Sequence, residues 1–248
     1  MVSFGTETNL QQKILSWQDS IDLINGERSL SKAARKLCMR VIELGRIFPL
    51  ETPKGTVMVL DVKRFLNHRV DTDLMWLIGE NLAKSLKKFS PDLILTAPSS
   101  GISPALAVAF NLGRIPIIYT QKSTPITFTD GPVYHTDSFS YTTNKPESMT
   151  ASGLCIPEGT VVVGIDDFLD TGHKSSDLKE IADQAGANLV AFGYGIEKSQ
   201  YMGRKTVMES GLPDSNIFSV LDITALEPGR IQIKGMPHWL SLKNNGQK

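Results

Sequence analysis

The residues most able to do chemistry lie in Val161-Val-Val-Gly-Ile-Asp-Asp-Phe-Leu-Asp-Thr-Gly-His-Lys-Ser-Ser. Its apolar first half reads as a strand. That strand is expected to end at two adjacent carboxylates, Asp166 and Asp167. A short turn with Asp170, Thr171 and Gly172 follows, and then a helix. Ligands of open α/β sheets bind beyond the carboxyl ends of the strands. A helix start offers N–H groups and partial positive charge, which suit a phosphate. Gly172 permits close backbone approach, and Thr171, Ser175 and Ser176 can add hydroxyl donors. Carboxylates just before such a cradle can accept hydrogen bonds from vicinal sugar hydroxyls, so the segment reads as a clamp for a ribose carrying a 5-phosphate. The plainer alternative is a strand-turn-helix in which Asp170 or Thr171 only caps the helix. Two ionised carboxylates side by side repel, however, and a structural turn has little need of both. A clamp of this kind also needs the doublet to face a cleft rather than lie buried in ion pairs.

The surrounding pattern supplies the elements that must position these groups. From Asp71 onward strands and helices alternate. Asp71 or Thr72 can cap a helix through Leu74, Leu77, Ile78, Leu82 and Leu86. Strands are expected over 93–96, 115–119, 160–165 and 187–196, and helices over 104–112 and 176–185. Strands separated by helices imply parallel crossovers and an open, mainly parallel twisted sheet flanked by helices. Before this, residues 11–45 read as two helices broken near Asn25-Gly26, the second capped by Ser29 or Ser31. Pro49-Leu-Glu-Thr-Pro-Lys-Gly marks a loop, and Val57-Met-Val-Leu a short strand. The Thr-, Ser-, Tyr- and Pro-rich stretch 120–152 breaks the rhythm and reads as antiparallel ribbon or mobile loop.

Composition narrows the partners. The 248 residues are ample for a buried core, and the 26 Lys and Arg balance the 26 Asp and Glu. No global basic excess exists to hold nucleic acid or an anionic membrane, so an anionic substrate needs a local site. The two cysteines, Cys38 and Cys155, have no metal-like spacing. No apolar run is long enough to span a membrane, and the polar N-terminus lacks a signal-peptide core. A soluble cytoplasmic protein is the expectation.

The strand, acidic pair and Thr-Gly turn resemble the PRPP-binding motif of type I phosphoribosyltransferases. Leu66-Asn-His-Arg-Val-Asp-Thr-Asp-Leu-Met, Ser99-Ser-Gly-Ile-Ser-Pro-Ala, Thr127-Phe-Thr-Asp, Ile165-Asp-Asp-Phe-Leu and Ile196-Glu-Lys-Ser resemble, in the same order, stretches of the bacterial xanthine phosphoribosyltransferases. The similarity covers roughly 37–233. The resemblance implies a phosphoribosyltransferase domain over 37–248, including a small hood, preceded by an N-terminal helical extension over 1–36.

By that resemblance Asp166 and Asp167 are the catalytic pair on the ribose hydroxyls, and Asp170, Thr171, Gly172, His173 and Lys174 bind the 5-phosphate. His173 and Lys174 depart from the small residues common there. Lys174 could add charge to the phosphate or point to solvent. Ser99, Ser100 and Gly101 correspond to a pyrophosphate loop that often contains a non-proline cis peptide. Lys122 falls where the family keeps a cation, although the preceding position, often Arg, is Gln121. Leu60, Asn67 and Lys198 correspond to the base site, where a Lys donor favours oxopurines over adenine. The stretch with Ser138-Phe-Ser-Tyr and Lys145 resembles the flexible catalytic loop. No residue is expected to ligate a metal directly, because Mg²⁺ would arrive bound to substrate.

The implied activity is transfer of ribose 5-phosphate from PRPP to an oxopurine, xanthine favoured, with release of pyrophosphate in purine salvage by a homodimer. The alternatives are a guanine/hypoxanthine or adenine phosphoribosyltransferase, or a non-catalytic PRPP-binding purine regulator. The N-terminal helices invite the last comparison, but they show no strong basic stripe and are short for a DNA-binding domain with a linker.

Overall fold

Nine consecutive, almost wholly buried residues form the strand on which the structure is built. The computed structural model describes residues 12–53, 55–140 and 145–243, without the side chains of 138–140 and 145–147. The central strand β7 (Val161–Leu169) pairs in parallel with β3 (Leu93–Thr96) on one side and β8 (Asn188–Lys198) on the other. β4 (Ile117–Tyr119) and β9 (Ile217–Glu227) extend the parallel run outward. β10 (Arg230–Ile233) and β11 (Leu240–Ser241) add an antiparallel edge, giving the order β11-β10-β9-β8-β7-β3-β4. The mainly parallel sheet expected from the alternating pattern is therefore present. Parallel strands covered on both faces are apolar throughout, which is why β7 and β8 read as continuous hydrophobic runs.

Helices cover both faces. α1 (Trp17–Gly26), α2 (Lys32–Leu44), α3 (Thr72–Leu86) and α4 (Ile102–Asn111) share one apolar cluster with Val163 and Ile165. α5 (His173–Gln184) and α6 (Gly203–Glu209) share the other with Val162, Phe192 and Tyr194. Alternate side chains of one strand thus feed two cores. The caps expected from sequence form: the side chain of Ser31 accepts from the Ala34 N–H, and that of Asp71 from the Leu74 N–H. The break at Asn25-Gly26 is held by Arg35, which donates to the carbonyls of Ile24, Asn25 and Glu27.

Position 36 falls inside α2, and Leu15 and Ile24 lie in the same cluster as the sheet. The N-terminal segment is tied to the C-terminal edge: the Leu15 N–H donates to Trp239 O at 3.0 Å, and Ser241 Oγ donates to Leu15 O at 2.6 Å.

Two expectations are corrected. Pro49 is not in a loop but in β1 (Arg46–Thr52), paired antiparallel with β2 (Gly55–Asp61). A two-stranded ribbon is all edge, so a residue without an N–H is tolerated there. β7 does not stop at the doublet but runs on to Leu169, and α5 begins at His173, earlier than the pattern suggested. The 120–152 stretch contains an antiparallel ribbon, β5 (Val133–Ser140) with β6 (Lys145–Ser152). Gln184 of α5 docks it, accepting from the His135 N–H at 3.1 Å and donating to its carbonyl at 2.8 Å. Of the residues expected in the flexible loop, Ser138, Phe139 and Ser140 end β5 and Lys145 begins β6, while Tyr141 lies outside the described residues. No described helix is long and apolar enough to cross a membrane.

α6 is anchored by a buried ion pair. The Glu197 side chain is almost fully buried on β8 and accepts from Arg204 Nε at 2.8 Å and Nη2 at 2.5 Å, and from Ser219 Oγ at 2.6 Å. Removing the cation strands the carboxylate out of water. Arg204→Met is expected to lower unfolding free energy by about 3 kcal/mol, measured by urea denaturation. A change under about 0.5 kcal/mol would mean that the pair does not anchor α6.

Candidate active site

The site forms where β7 ends, because consecutive residues of a strand send their side chains different ways. Asp166 and Asp167 are only 2% and 3% exposed. Asp166 is met from α5 by Lys174, with Nζ 2.6 Å from Oδ2. Asp167 is met from the other helical layer: Ser100 Oγ donates to Oδ1 at 2.8 Å and Asn67 Nδ2 to Oδ2 at 3.3 Å. The Asp167 N–H donates back to Asp166 Oδ1 at 2.9 Å. Buried Thr96, at the end of β3, donates to Ile165 O at 2.6 Å and pins the two strands just before the doublet.

The doublet is therefore buried, and one of its members is ion-paired, contrary to the open disposition expected from sequence. Lys174 belongs to the first turn of the helix that follows, and its side chain is 42% exposed, so the pair sits at the mouth of the site rather than in the core. Burial raises the Asp166 pKa to about 7; the Lys174 ammonium opposes this and the neighbouring Asp167 charge adds to it. Burial alone would depress Lys174, but Asp166 and Asp167 outweigh it and hold its pKa above the ordinary lysine value.

The turn after β7 is shaped by close backbone packing. Gly172 has φ +82°, and a Cβ there would lie 2.5 Å from the carbonyl oxygen of Gly203. α6 thus presses its first residue against the turn, and its Arg204 anchor fixes the turn from below. Ser175, buried under the first turn of α5, is 2.6 Å from the Tyr194 hydroxyl on β8. Gly101 opens α4 beside the doublet, and a Cβ on it would lie 2.9 Å from Asp166 Oδ1 and 2.3 Å from Thr96 Oγ1. The peptide bond between Pro98 and Ser99 is cis.

Lys198 ends β8 and is 6% exposed. Its Nζ is 2.8 Å from Asp170 Oδ1 and lies over the rings of Phe168 at 4.9 Å and Tyr201 at 5.3 Å. Tyr201 in turn donates to Met58 O at 2.7 Å, tying this aromatic box to the β1–β2 ribbon. The ammonium is thus held between a carboxylate and two aromatic rings.

The structure thus brings together most of the residues marked from sequence. Ser100, Gly101, Asn67, Asp166, Asp167, Gly172 and Lys174 share one neighbourhood, and Asp170 joins it to Lys198. Thr171 and His173 are exposed on the turn, and Ser99 is exposed on the cis loop. Lys174, expected at the phosphate or in solvent, is instead on Asp166. Asn67 is a partner of Asp167, and Leu60 is buried in the β2 core contact rather than open to a recess. Lys122 is exposed after β4, and its carbonyl accepts from Ser148; among the described residues it makes no ion pair. Four contributors were not marked from sequence: Thr96, Phe168, Tyr194 and Tyr201. Phe168 sat inside the motif, but nothing in one sequence distinguished its ring from core.

Comparison with known proteins identifies the fold and the family. No protein-family model matches the chain. The adenine phosphoribosyltransferase of Trypanosoma brucei, solved with AMP, pyrophosphate and ribose-5-phosphate, superposes with a TM-score of 0.60 at 19% identity, over 77% of this chain and 80% of that one. That of Thermoanaerobacter pseudethanolicus gives 0.59 at 20% identity, over 76% and 99%. The fold is that of the type I phosphoribosyltransferases. A xanthine phosphoribosyltransferase of Macrococcus caseolyticus is 37% identical over 177 residues, 71% of this chain and 89% of that relative. One of Chloroflexus aurantiacus is 35% identical over 220 residues, 89% and 98%. The chain belongs to the xanthine phosphoribosyltransferase family.

The raised Asp166 pKa sets a pH signature. A carboxyl that holds its proton more tightly when folded costs stability as pH rises from its ordinary value, near 4, to its folded value, near 7. Below that window the cost is absent, and above it the cost is constant. Lys174 stays charged throughout. Between pH 4 and 7, Asp166→Asn should therefore lose less stability with rising pH than the wild type, as followed by thermal melts. Parallel curves would show that Asp166 has an ordinary pKa.

Proposed function

We propose that the protein is a purine phosphoribosyltransferase that transfers ribose 5-phosphate from PRPP to an oxopurine, with xanthine preferred, releasing pyrophosphate in purine salvage. The observation that carries this is the seating of an acidic doublet and a glycine turn at the end of β7, beside a buried lysine in an aromatic box at the end of β8. The names of the relatives from Macrococcus caseolyticus and Chloroflexus aurantiacus support the base assignment.

The geometry supports the following roles. Asp166 and Asp167 accept hydrogen bonds from the ribose hydroxyls and fix the sugar. The 170–174 turn and the first N–H groups of α5 take the 5-phosphate. Ser99, Ser100 and Gly101 face the pyrophosphate, with Lys122 brought to it by the segment bridged to β6. A purine ring nitrogen attacks the anomeric carbon as the bond to pyrophosphate breaks, and the ring nitrogen's proton is lost. The positive charge that develops on the sugar lies next to two carboxylates, so catalysis is positioning and charge stabilisation.

Lys198 donates to an exocyclic oxygen of the base, a role that adenine's amino group cannot serve, while Asp170 keeps the ammonium in place. Mg²⁺ suits these hard carboxylate and phosphate oxygens. The ion would ride on PRPP, steadied by Asp166 and Asp167 through the ribose hydroxyls. It would supply charge neutralisation to the departing pyrophosphate. The exposed Trp76, Leu106, Phe110 and Tyr119, from α3, α4 and β4, support a homodimer, and the cytoplasm is the compartment that fits salvage.

Pyrophosphate release with PRPP and each of xanthine, guanine, hypoxanthine and adenine tests the proposal. Xanthine should give the highest kcat/KM. Adenine as the best base would refute the role of Lys198, and no release with any base would leave a binding regulator. Lys198→Met should lower kcat/KM for xanthine about 100-fold, the worth of one charge-assisted hydrogen bond in a water-poor site. A loss under about threefold would remove Lys198 from the base site.

A further inference from the structure

We infer that Lys174 is a positioning residue for the ribose: by its contact with Asp166 it holds that carboxylate ionised and aimed as a hydroxyl acceptor, rather than serving as a phosphate ligand. This rests on the sugar-phosphate cradle proposed above and assigns the lysine within it a different partner from the one its sequence position suggests.

Three observations converge on it. First, the ammonium sits 2.6 Å from Asp166 Oδ2, a charge-assisted contact at the short end of its range. Second, Asp166 is almost wholly out of water, with a second carboxylate on the next residue. Such a group gives up its charge unless a cation is close. The groups facing it are Lys174 from α5, Asp167 on its own strand and the Tyr194 hydroxyl from β8. Lys174 is the one cation among them. Third, the other oxygen of Asp166 is fixed by the Asp167 N–H at 2.9 Å, so the lysine and the backbone together hold the carboxylate plane. Asp167 is hydrogen-bonded by two neutral donors, Ser100 and Asn67, and among the described residues makes no ion-pair contact, so the Lys174 charge reaches it only from farther away. The two halves of the doublet are thus built differently, and Asp166 depends on Lys174 for its charge.

The consequence is a pH dependence that a phosphate contact would not produce. A protonated Asp166 is a poorer acceptor for a sugar hydroxyl, so affinity for a ribose phosphate should track its ionisation. Binding of ribose 5-phosphate would be measured by calorimetry from pH 6 to pH 9 for the wild type, Lys174→Met, Lys174→Arg and Asp166→Asn, and for Lys174→Met combined with Asp166→Asn. The ligand's own ionisation is common to all and cancels in the ratios. Lys174→Met should move the midpoint of the affinity rise upward by about one pH unit or more, which is about a tenfold loss of affinity below the midpoint. The loss should shrink toward pH 9. Lys174→Arg should stay within about threefold of the wild type, and Lys174→Met should have little effect when Asp166 is already Asn.

A loss of the same factor at every pH, persisting in the Asp166→Asn background, would overturn the inference and put Lys174 on the phosphate. No effect of Lys174→Met at any pH would overturn it as well. A folded wild-type protein with no affinity for ribose 5-phosphate would instead bring down the cradle itself, and this role with it.

Discussion

Two carboxylates on consecutive residues, both nearly out of water, are the constraint that the rest of the structure answers. Each needs compensation, and one strand cannot provide it. Asp166 draws a lysine from the helix after the strand, and Asp167 draws a serine and an asparagine from the layer on the other side. Three chain segments far apart in sequence are thereby brought to one point. They are the 66–71 approach to α3, the cis loop before α4, and the turn into α5. Under the proposed function, those are the segments that meet a ribose carrying a 5-phosphate and a 1-pyrophosphate.

The support for that point extends outward by packing. The turn keeps its shape because Gly172 and Gly203 touch backbone to backbone. Gly203 is held because the next residue, Arg204, is locked to buried Glu197. Glu197 lies on the strand whose next residue is Lys198. One strand end therefore serves two purposes: Glu197 holds the turn after β7 through α6, and Lys198 pairs with Asp170 of that turn. The doublet, the turn and Lys198 are mechanically linked, which suits the proposed reaction, in which a nucleophile and a leaving group must lie on opposite sides of one carbon.

Much of this was legible in the sequence, for definite reasons. Parallel strands buried on both faces write themselves as apolar runs, and the β7 run led directly to the doublet. Ser31 and Asp71 announced their helices because capping is local chemistry. What was not legible depends on contacts between distant segments. Pro49 reads as a loop residue until its ribbon is seen to be all edge. The doublet reads as exposed because a sequence does not reveal that Lys174 folds back by a helical turn onto Asp166. Phe168, Tyr194 and Tyr201 look like core aromatics, and only their placement around Lys198 and Ser175 gives them a part in the site.

The central claim is that the doublet and the turn after it receive a ribose and its 5-phosphate. The most direct measurement is a crystal structure of the protein with ribose 5-phosphate bound. The account predicts the phosphate within hydrogen-bonding distance of the 170–175 backbone, and the sugar hydroxyls on Asp166 and Asp167. A phosphate seated elsewhere, with the doublet still closed among Lys174, Ser100 and Asn67, would contradict it.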